Sequence, residues 1–313
     1  MPAYDILIAD GLEDNGQAIL RSSANVDDRT GISREELLKT IENYHAMIVR
    51  SRTKVTAQVF EAARQLEVIG RAGVGVDSID LEAAKAHNVT VVNAPESTSL
   101  AVAELTLGLL LSLAREIPRA DAGMKRGAWL KKDLSGSELY GKTLGVVGMG
   151  RIGAEVGKRA VVFGMTVLGY DPFIPVEAIQ QRGAEPVDLD NLYARADYIS
   201  LHVPLTDETR SMVDEQAFGR MKRGVRIVCA ARGGIIDESA LLAGLESGQV
   251  AGAALDVYAS EPPGATTLVE HPKVIATPHV GAQTAEAQSR AAEDIAHEVL
   301  AALNGETLHW KVV

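Results

Sequence analysis

Leu144-Gly145-Val146-Val147-Gly148-Met149-Gly150-Arg151-Ile152-Gly153 decides the fold: an apolar run enters three glycines in the G-x-G-x-x-G order, and a helical pattern follows to residue 163. The first glycine permits a tight turn, the second lets backbone approach a pyrophosphate, and the third allows helix and strand to pack closely. The free N–H groups and positive dipole end of the following helix favour phosphate. Asp171 stands eighteen residues past Gly153, at the end of the next apolar run. A carboxylate there accepts hydrogen bonds from both ribose hydroxyls and repels a 2′-phosphate. A tight turn followed by a capping acid would use the same residues, but strand, turn, helix, strand and acid in this order predict an NAD-binding unit.

Outward from that turn, apolar runs at 143–147, 166–170, 198–203, 225–228, 251–255 and 274–276 alternate with helical stretches, predicting one doubly wound unit with a parallel sheet. Upstream, shorter runs at 5–8, 46–49, 68–70 and 89–92, with helical stretches at 34–41, 57–64 and 81–86, predict a smaller α/β domain. Their apolar character fits strands covered on both faces. The start signal Glu96-Ser97-Thr98-Ser99 predicts a long helix to about Ile117, ending before Pro118. Residues 119–139 carry Lys125, Arg126, Lys131 and Lys132 among three glycines and read as a solvated connector or a basic arm; residues 284–304 form an amphipathic helical pattern. The expected domains are therefore 1–95 with 284–313, and 96–283, the latter carrying the helix and arm at 97–140.

The chain's 313 residues suit about two domains, and 46% hydrophobic with 23% charged residues is ordinary for a globular protein. A net charge of −11 repels phosphate backbones and anionic lipid, which argues against nucleic acid and membranes as partners. Cys229 is the only cysteine, so neither an intrachain disulfide nor a cysteine metal site can form, and a reducing, cytoplasmic setting is expected. The segment 1–10 lacks signal-peptide character, and the most apolar stretch, 100–114, is too short for a bilayer and contains Glu104.

Three segments place titratable groups just past apolar runs: Ala231-Arg232-Gly233-Gly234, Glu261-Pro262-Pro263 and Pro278-His279-Val280-Gly281. Ligands of open parallel sheets bind beyond the carboxyl ends of the strands. Oxidising an alcohol requires a base for the hydroxyl proton as hydride leaves carbon, and histidine suits that task. His279 is the candidate base, Glu261 a carboxylate able to orient it, and Arg232 a grip for a substrate carboxylate. On spacing alone each has a plain alternative: a structural histidine, a surface turn, a loop cap. Arg50 and Arg71 each follow a short strand and could face the same ligand, with Gly73-Val74-Gly75 as a backbone nest; a solvated face is the alternative.

These motifs, with Tyr170-Asp171-Pro172, Ile235-Ile236-Asp237-Glu238, Ala254-Leu255-Asp256-Val257-Tyr258, Val49-Arg50-Ser51 and the run from Gly70 to Asp77, resemble the D-2-hydroxyacid dehydrogenases over about residues 45–300. The resemblance implies a doubly wound Rossmann NAD-binding domain plus a smaller flavodoxin-like α/β substrate-binding domain. It implies Arg232, Glu261 and His279 as the catalytic set. The cofactor would be lined by Gly148, Gly150, Arg151, Ile152, Gly153 and Asp171, by Val203 and Pro204, by Ala230 and Ala231, and by Gly281 and Ala282, with Asp256 on the nicotinamide carboxamide. Arg50, Ser51, Arg71, Val74, Gly75 and Arg232, with Lys131 from a neighbouring subunit, would hold the substrate. Where the family reads Asn-Cys-Ala-Arg-Gly-Gly, this chain has Cys229-Ala230-Ala231-Arg232, which touches contacts to the nicotinamide ribose.

The implied reaction is NAD-dependent oxidation of 3-phospho-D-glycerate to 3-phosphooxypyruvate, the first step of phosphorylated serine synthesis. Reduction of hydroxypyruvate or glyoxylate, or oxidation of another dianionic acid such as sulfolactate, would use the same catalytic set. An NAD-sensing corepressor-like module would not turn over. A homodimer or homotetramer is expected through the 100–114 helix and the arm. Ending at Trp310-Lys311-Val312-Val313, the chain is expected to lack an appended regulatory domain.

Overall fold

The computed structural model describes residues 4–313; positions 1–3, which the expected first domain includes, lie outside the described residues. Contacts divide the chain into two units, one running up to Ser99 and resuming at Ala282–Val313, the other Leu100–Gly281.

The first unit alternates β1 (Asp5–Ile8), α1 (Asp14–Arg21), β2 (Asn25–Asp28), α2 (Arg34–Thr40), β3 (Ala46–Val49), α3 (Ala57–Ala62), β4 (Val68–Arg71), α4 (Leu81–Ala86) and β5 (Thr90–Asn93). All its strand pairs are parallel, in the order β2-β1-β3-β4-β5, which is the flavodoxin-like arrangement. The central strand β3 is buried at all four positions, as a strand covered on both faces must be.

In the second unit, α5 (Ser99–Arg115) and α6 (Ile117–Lys125) precede β6 (Thr143–Val147), α7 (Arg151–Val162), β7 (Thr166–Tyr170), α8 (Val176–Gln181), β8 (Glu185–Pro186) and α9 (Leu189–Arg195). There follow β9 (Tyr198–Leu201), α10 (Glu215–Arg220), β10 (Val225–Cys229), α11 (Glu238–Ser247), β11 (Val250–Leu255) and β12 (Val274–Ala276). The seven parallel strands run β12-β11-β10-β9-β6-β7-β8, so the order reverses at β6 and β9, where open sheets bind ligands. One face is covered by a core including Leu192, Phe218, Ile235 and Leu245, the other by a core including Leu107, Leu110, Val156 and Met165.

The last helix, α12 (Ala285–Leu303), returns to the first unit. Two glycines explain how closely it lies there. A Cβ at Gly16 would come 2.5 Å from the Ala292 carbonyl oxygen, and one at Gly70 would come 2.5 Å from Val299 Cγ2.

The long helix departs from expectation at its end. α5 stops at Arg115, Glu116 turns left-handed at φ 51°, and Pro118 sits in the first turn of α6. Proline needs no N–H partner in a first turn, so here it opens a helix instead of closing one. α6 thus occupies the start of the segment read as connector or arm.

Candidate active site

In the second unit, β6 ends at Val147 and Gly148 turns at φ 90°. A Cβ on Gly148 would lie 2.6 Å from the His202 carbonyl oxygen and 3.0 Å from Val203 Cγ1, placing Val203 beside the turn. At Gly153 a Cβ would strike the Gly148 carbonyl. Gly150, by contrast, has no atom within 4 Å of where its Cβ would stand. Two glycines are therefore demanded by packing, while the third opens a face at the N-terminus of α7, the geometry a pyrophosphate needs. Arg151 is exposed and Ile152 half-buried on the first turn of that helix.

Asp171 follows β7 and is fixed against the turn. Its Oδ2 accepts from the Met149 N–H at 2.9 Å and its Oδ1 from the Phe173 N–H at 3.0 Å. Arg182 donates to the Met149 carbonyl. The residues present thus fit NAD: a glycine turn with free space at Gly150, and a carboxylate beside it with lone pairs left for ribose hydroxyls.

The three segments singled out for chemistry follow β10, β11 and β12, and the last two are joined side chain to side chain. His279 Nδ1 lies 2.7 Å from Glu261 Oε2, and the other oxygen of Glu261 accepts from Tyr258 N–H at 3.1 Å. Both side chains remain partly open to solvent, 47% and 37% exposed, so a bound molecule could reach them. Arg232 begins the loop after β10, its Nη1 donating to the Ala231 carbonyl at 2.7 Å. A Cβ at Gly233 would clash with the Tyr258 carbonyl, so glycine there lets the Arg232 loop lie against the backbone leading to Glu261.

His279 has φ 52°, a left-handed conformation that costs energy for a residue with a side chain. Asp256 holds it. Only 1% exposed, Asp256 accepts from Thr277 Oγ1 at 2.5 Å, Val280 N–H at 2.9 Å and Gly281 N–H at 2.8 Å. The residue expected on the nicotinamide carboxamide is here the anchor of the His279 loop. Tyr258, quoted in the sequence motif but given no role there, adds a brace: its hydroxyl lies 3.0 Å from both the Leu255 and Thr277 carbonyls. Ala230 is buried at the end of β10, Pro204 is exposed beside Val203, and Ala282 belongs to the first unit. Cys229 is buried, and burial pushes its thiol up to about 11, so it stays protonated at neutral pH.

In the first unit, Arg71 bends over its own loop. Its Nε donates to the Gly75 carbonyl at 2.8 Å and its Nη1 to the Ala72 carbonyl, and a Cβ at Gly73 would collide with the guanidinium. The Val74 carbonyl accepts from Asn93 Nδ2 at 2.7 Å. Arg50 Nη1 pairs with Glu13 at 3.2 Å, and its N–H donates to Asp10 at 2.8 Å, neither of which the sequence suggested. Ser51 is exposed; in the second unit, so is Lys131.

Residues 107–281 match the family described as D-isomer specific 2-hydroxyacid dehydrogenase, NAD binding domain. Among curated proteins, the chain is 50% identical over 302 residues to the D-3-phosphoglycerate dehydrogenase of Methanocaldococcus jannaschii, covering 96% of this chain and 58% of that protein. It is 48% identical to the rat protein of the same name, covering 97% and 57%. The chain thus spans little more than half the length of these relatives. Among solved structures, a Thermus thermophilus protein superposes with a TM-score of 0.89 at 35% identity, covering 99% of this chain and 100% of that one. A glyoxylate reductase from Paecilomyes thermophila superposes with 0.90 at 30% identity, covering 100% and 99%.

Proposed function

This chain belongs to the D-isomer specific 2-hydroxyacid dehydrogenases, and from that premise we propose that it oxidises 3-phospho-D-glycerate to 3-phosphooxypyruvate with NAD, the opening step of phosphorylated serine synthesis. The observation that carries this reading is the 2.7 Å contact of His279 with Glu261, set in the loops after the Rossmann strands. The names of relatives near 50% identity support the choice of acid.

His279 Nδ1 is engaged by Glu261, so Nε2 is the nitrogen left to take the substrate's hydroxyl proton. NAD supplies the acceptor for the hydride leaving C2. Arg232 draws the substrate carboxylate and, as the hydroxyl becomes a carbonyl, stabilises the charge on that oxygen. Glu261 offsets the positive charge that His279 acquires. Asp171 orients the adenosine ribose and disfavours NADP. The phosphate falls to Arg71 and Arg50, with Lys131 from a neighbouring copy. We place the enzyme in the cytoplasm, where its one buried free thiol suits a reducing medium; among the described residues no helix is long and apolar enough to cross a membrane. We assign self-association to α5 and the arm, supported by exposed Ile117, Met124 and Trp129 there.

The test follows NADH consumption with 3-phosphooxypyruvate, hydroxypyruvate and glyoxylate. We expect preference for the phosphorylated acid, and Arg71→Ala should raise its KM at least tenfold while changing that for hydroxypyruvate less than threefold. Preference for either unphosphorylated acid would reassign the substrate, and equal effects of Arg71→Ala would remove Arg71 from the phosphate.

A further inference from the structure

The second unit has a polar cavity at the opposite end of its sheet from the glycine turn. Its lining comes from the approach to β6 (Ser137, Lys142), the start of β9 (Asp197, Tyr198) and the turn into β10 (Lys222, Arg223, Arg226). All three strands are parallel, so these are amino ends, whereas Gly148 and Arg232 follow carboxyl ends. At about 3.3 Å per residue, the five residues of β6 separate the two by roughly 15 Å. The cavity has a volume of about 200 Å³, room for several waters or a small molecule.

Its charge is unusual for this molecule. Four cations and one carboxylate line it, in a chain whose net charge is −11. The carboxylate is already engaged: Asp197 accepts from Thr143 N–H at 2.9 Å and pairs with Lys222 at 2.9 Å. Burial opposes these contacts, yet together they hold its carboxyl below the usual range. Arg223 donates to the Ser247 carbonyl at 2.8 Å, and Arg226 stacks 5.5 Å from the Tyr198 ring centroid, which fixes a guanidinium at the wall. Lys142 is half-buried, and its charge, with that of Lys222, acts on Asp197. The Tyr198 hydroxyl and Ser137 Oγ, 2.9 Å apart, add polar atoms able to donate.

We propose that this cavity is a second anion site, for a small molecule carrying two or more phosphate or carboxylate groups, separate from the cofactor and substrate sites. Arg226 and Lys142 are its principal ligands. Two like-charged groups at one wall favour a polyanion over a single charge, and the attraction weakens with salt because the cavity is open.

Inorganic pyrophosphate is the probe, titrated calorimetrically into the whole chain saturated with NADH, so that the glycine turn is already filled. The Arg71→Ala background silences the proposed substrate phosphate ligand. One equivalent should still bind there, and adding Lys142→Glu should weaken it at least tenfold, with kcat and KM for NADH within twofold of the parent. Lys142→Gln with Arg226→Gln should do the same, its fold checked by circular dichroism. If Arg71→Ala alone abolishes binding, or if Lys142→Glu leaves the affinity unchanged, the proposal is overturned.

Discussion

On the proposed mechanism, Glu261 governs what His279 can do in a turnover. The 2.7 Å contact to Nδ1 fixes both the ring plane and the nitrogen that faces outward. When the imidazole takes the hydroxyl proton it becomes a cation, and a carboxylate in contact lowers the cost of that step, whereas an amide supplies geometry without charge. Glu261→Gln should therefore lower kcat about 100-fold, and His279→Gln by about 10²–10⁴, the range of a lost general base. KM for NAD should stay within twofold in both, because Asp171, which we assign to the adenosine ribose, follows β7, whereas Glu261 and His279 follow β11 and β12. Steady-state kinetics with 3-phosphoglycerate would decide it; a Glu261→Gln protein with unchanged kcat would take the carboxylate out of the chemistry.

The elements that carry these residues start and stop at polar side chains, and one such start follows Arg232 by five residues. Asp237 caps α11: its Oδ1 accepts from Ser239 N–H at 2.9 Å, Ala240 N–H at 3.0 Å and Ser239 Oγ at 2.5 Å. Glu238, in the same first turn, accepts from Ala259 N–H at 2.7 Å and so links α11 to the chain leading to Glu261. Removing the cap in Asp237→Ala should cost about 1 kcal/mol, within the usual range of roughly 0.5–2 for such a loss. Chemical denaturation read at the second unit should show the midpoint falling, and an unchanged midpoint would mean the hydroxyl and solvent satisfy the helix start.

The same scale shows why some elements were legible and others were not. β6, β7 and the catalytic loops stood out because apolar runs end abruptly in glycines, prolines and charges. β2 did not, because Asn25-Val26-Asp27-Asp28 is a largely exposed edge strand that needs only one apolar side chain. β8 is two residues long and paired on one side only. The break at Glu116 depends on a left-handed residue that no pattern announces. At the site, the identities of Arg232, Glu261 and His279 were readable, but the work of Asp256 and Tyr258 was not. Most of their partners lie on the His279 loop, 19 to 25 residues away, and are set by the fold.

At the scale of the whole molecule, acid should destabilise one unit before the other. His202 follows β9 in the second unit; its Nε2 lies 2.7 Å from Ser200 Oγ, while its Nδ1 is sealed from solvent without a partner. Protonation would put a second N–H where nothing accepts it, and burial accordingly pushes its pKa down from 6.5 to about 4. The unfolded chain takes up that proton near pH 6.5 and the folded chain only near 4, so the unfolded state binds more protons between those values. Stability of the second unit must then fall as pH drops from 6.5 toward 4, by roughly 2–3 kcal/mol, and the loss ends below 4. Asp197 and Asp237, held low by their hydrogen bonds, add their losses only below the ordinary carboxylate range. In the first unit Asp294 has the opposite sign: burial first, then Glu293 and Glu96, raise its pKa, so it is relieved as acid is added. Amide exchange at Ile199 and Leu201, against residues of β3, should show the second unit weakening first between about pH 6.5 and 4.5. His202→Gln should flatten that slope whatever it does to stability at pH 7, and a slope unchanged by the substitution would assign the acid sensitivity to another group.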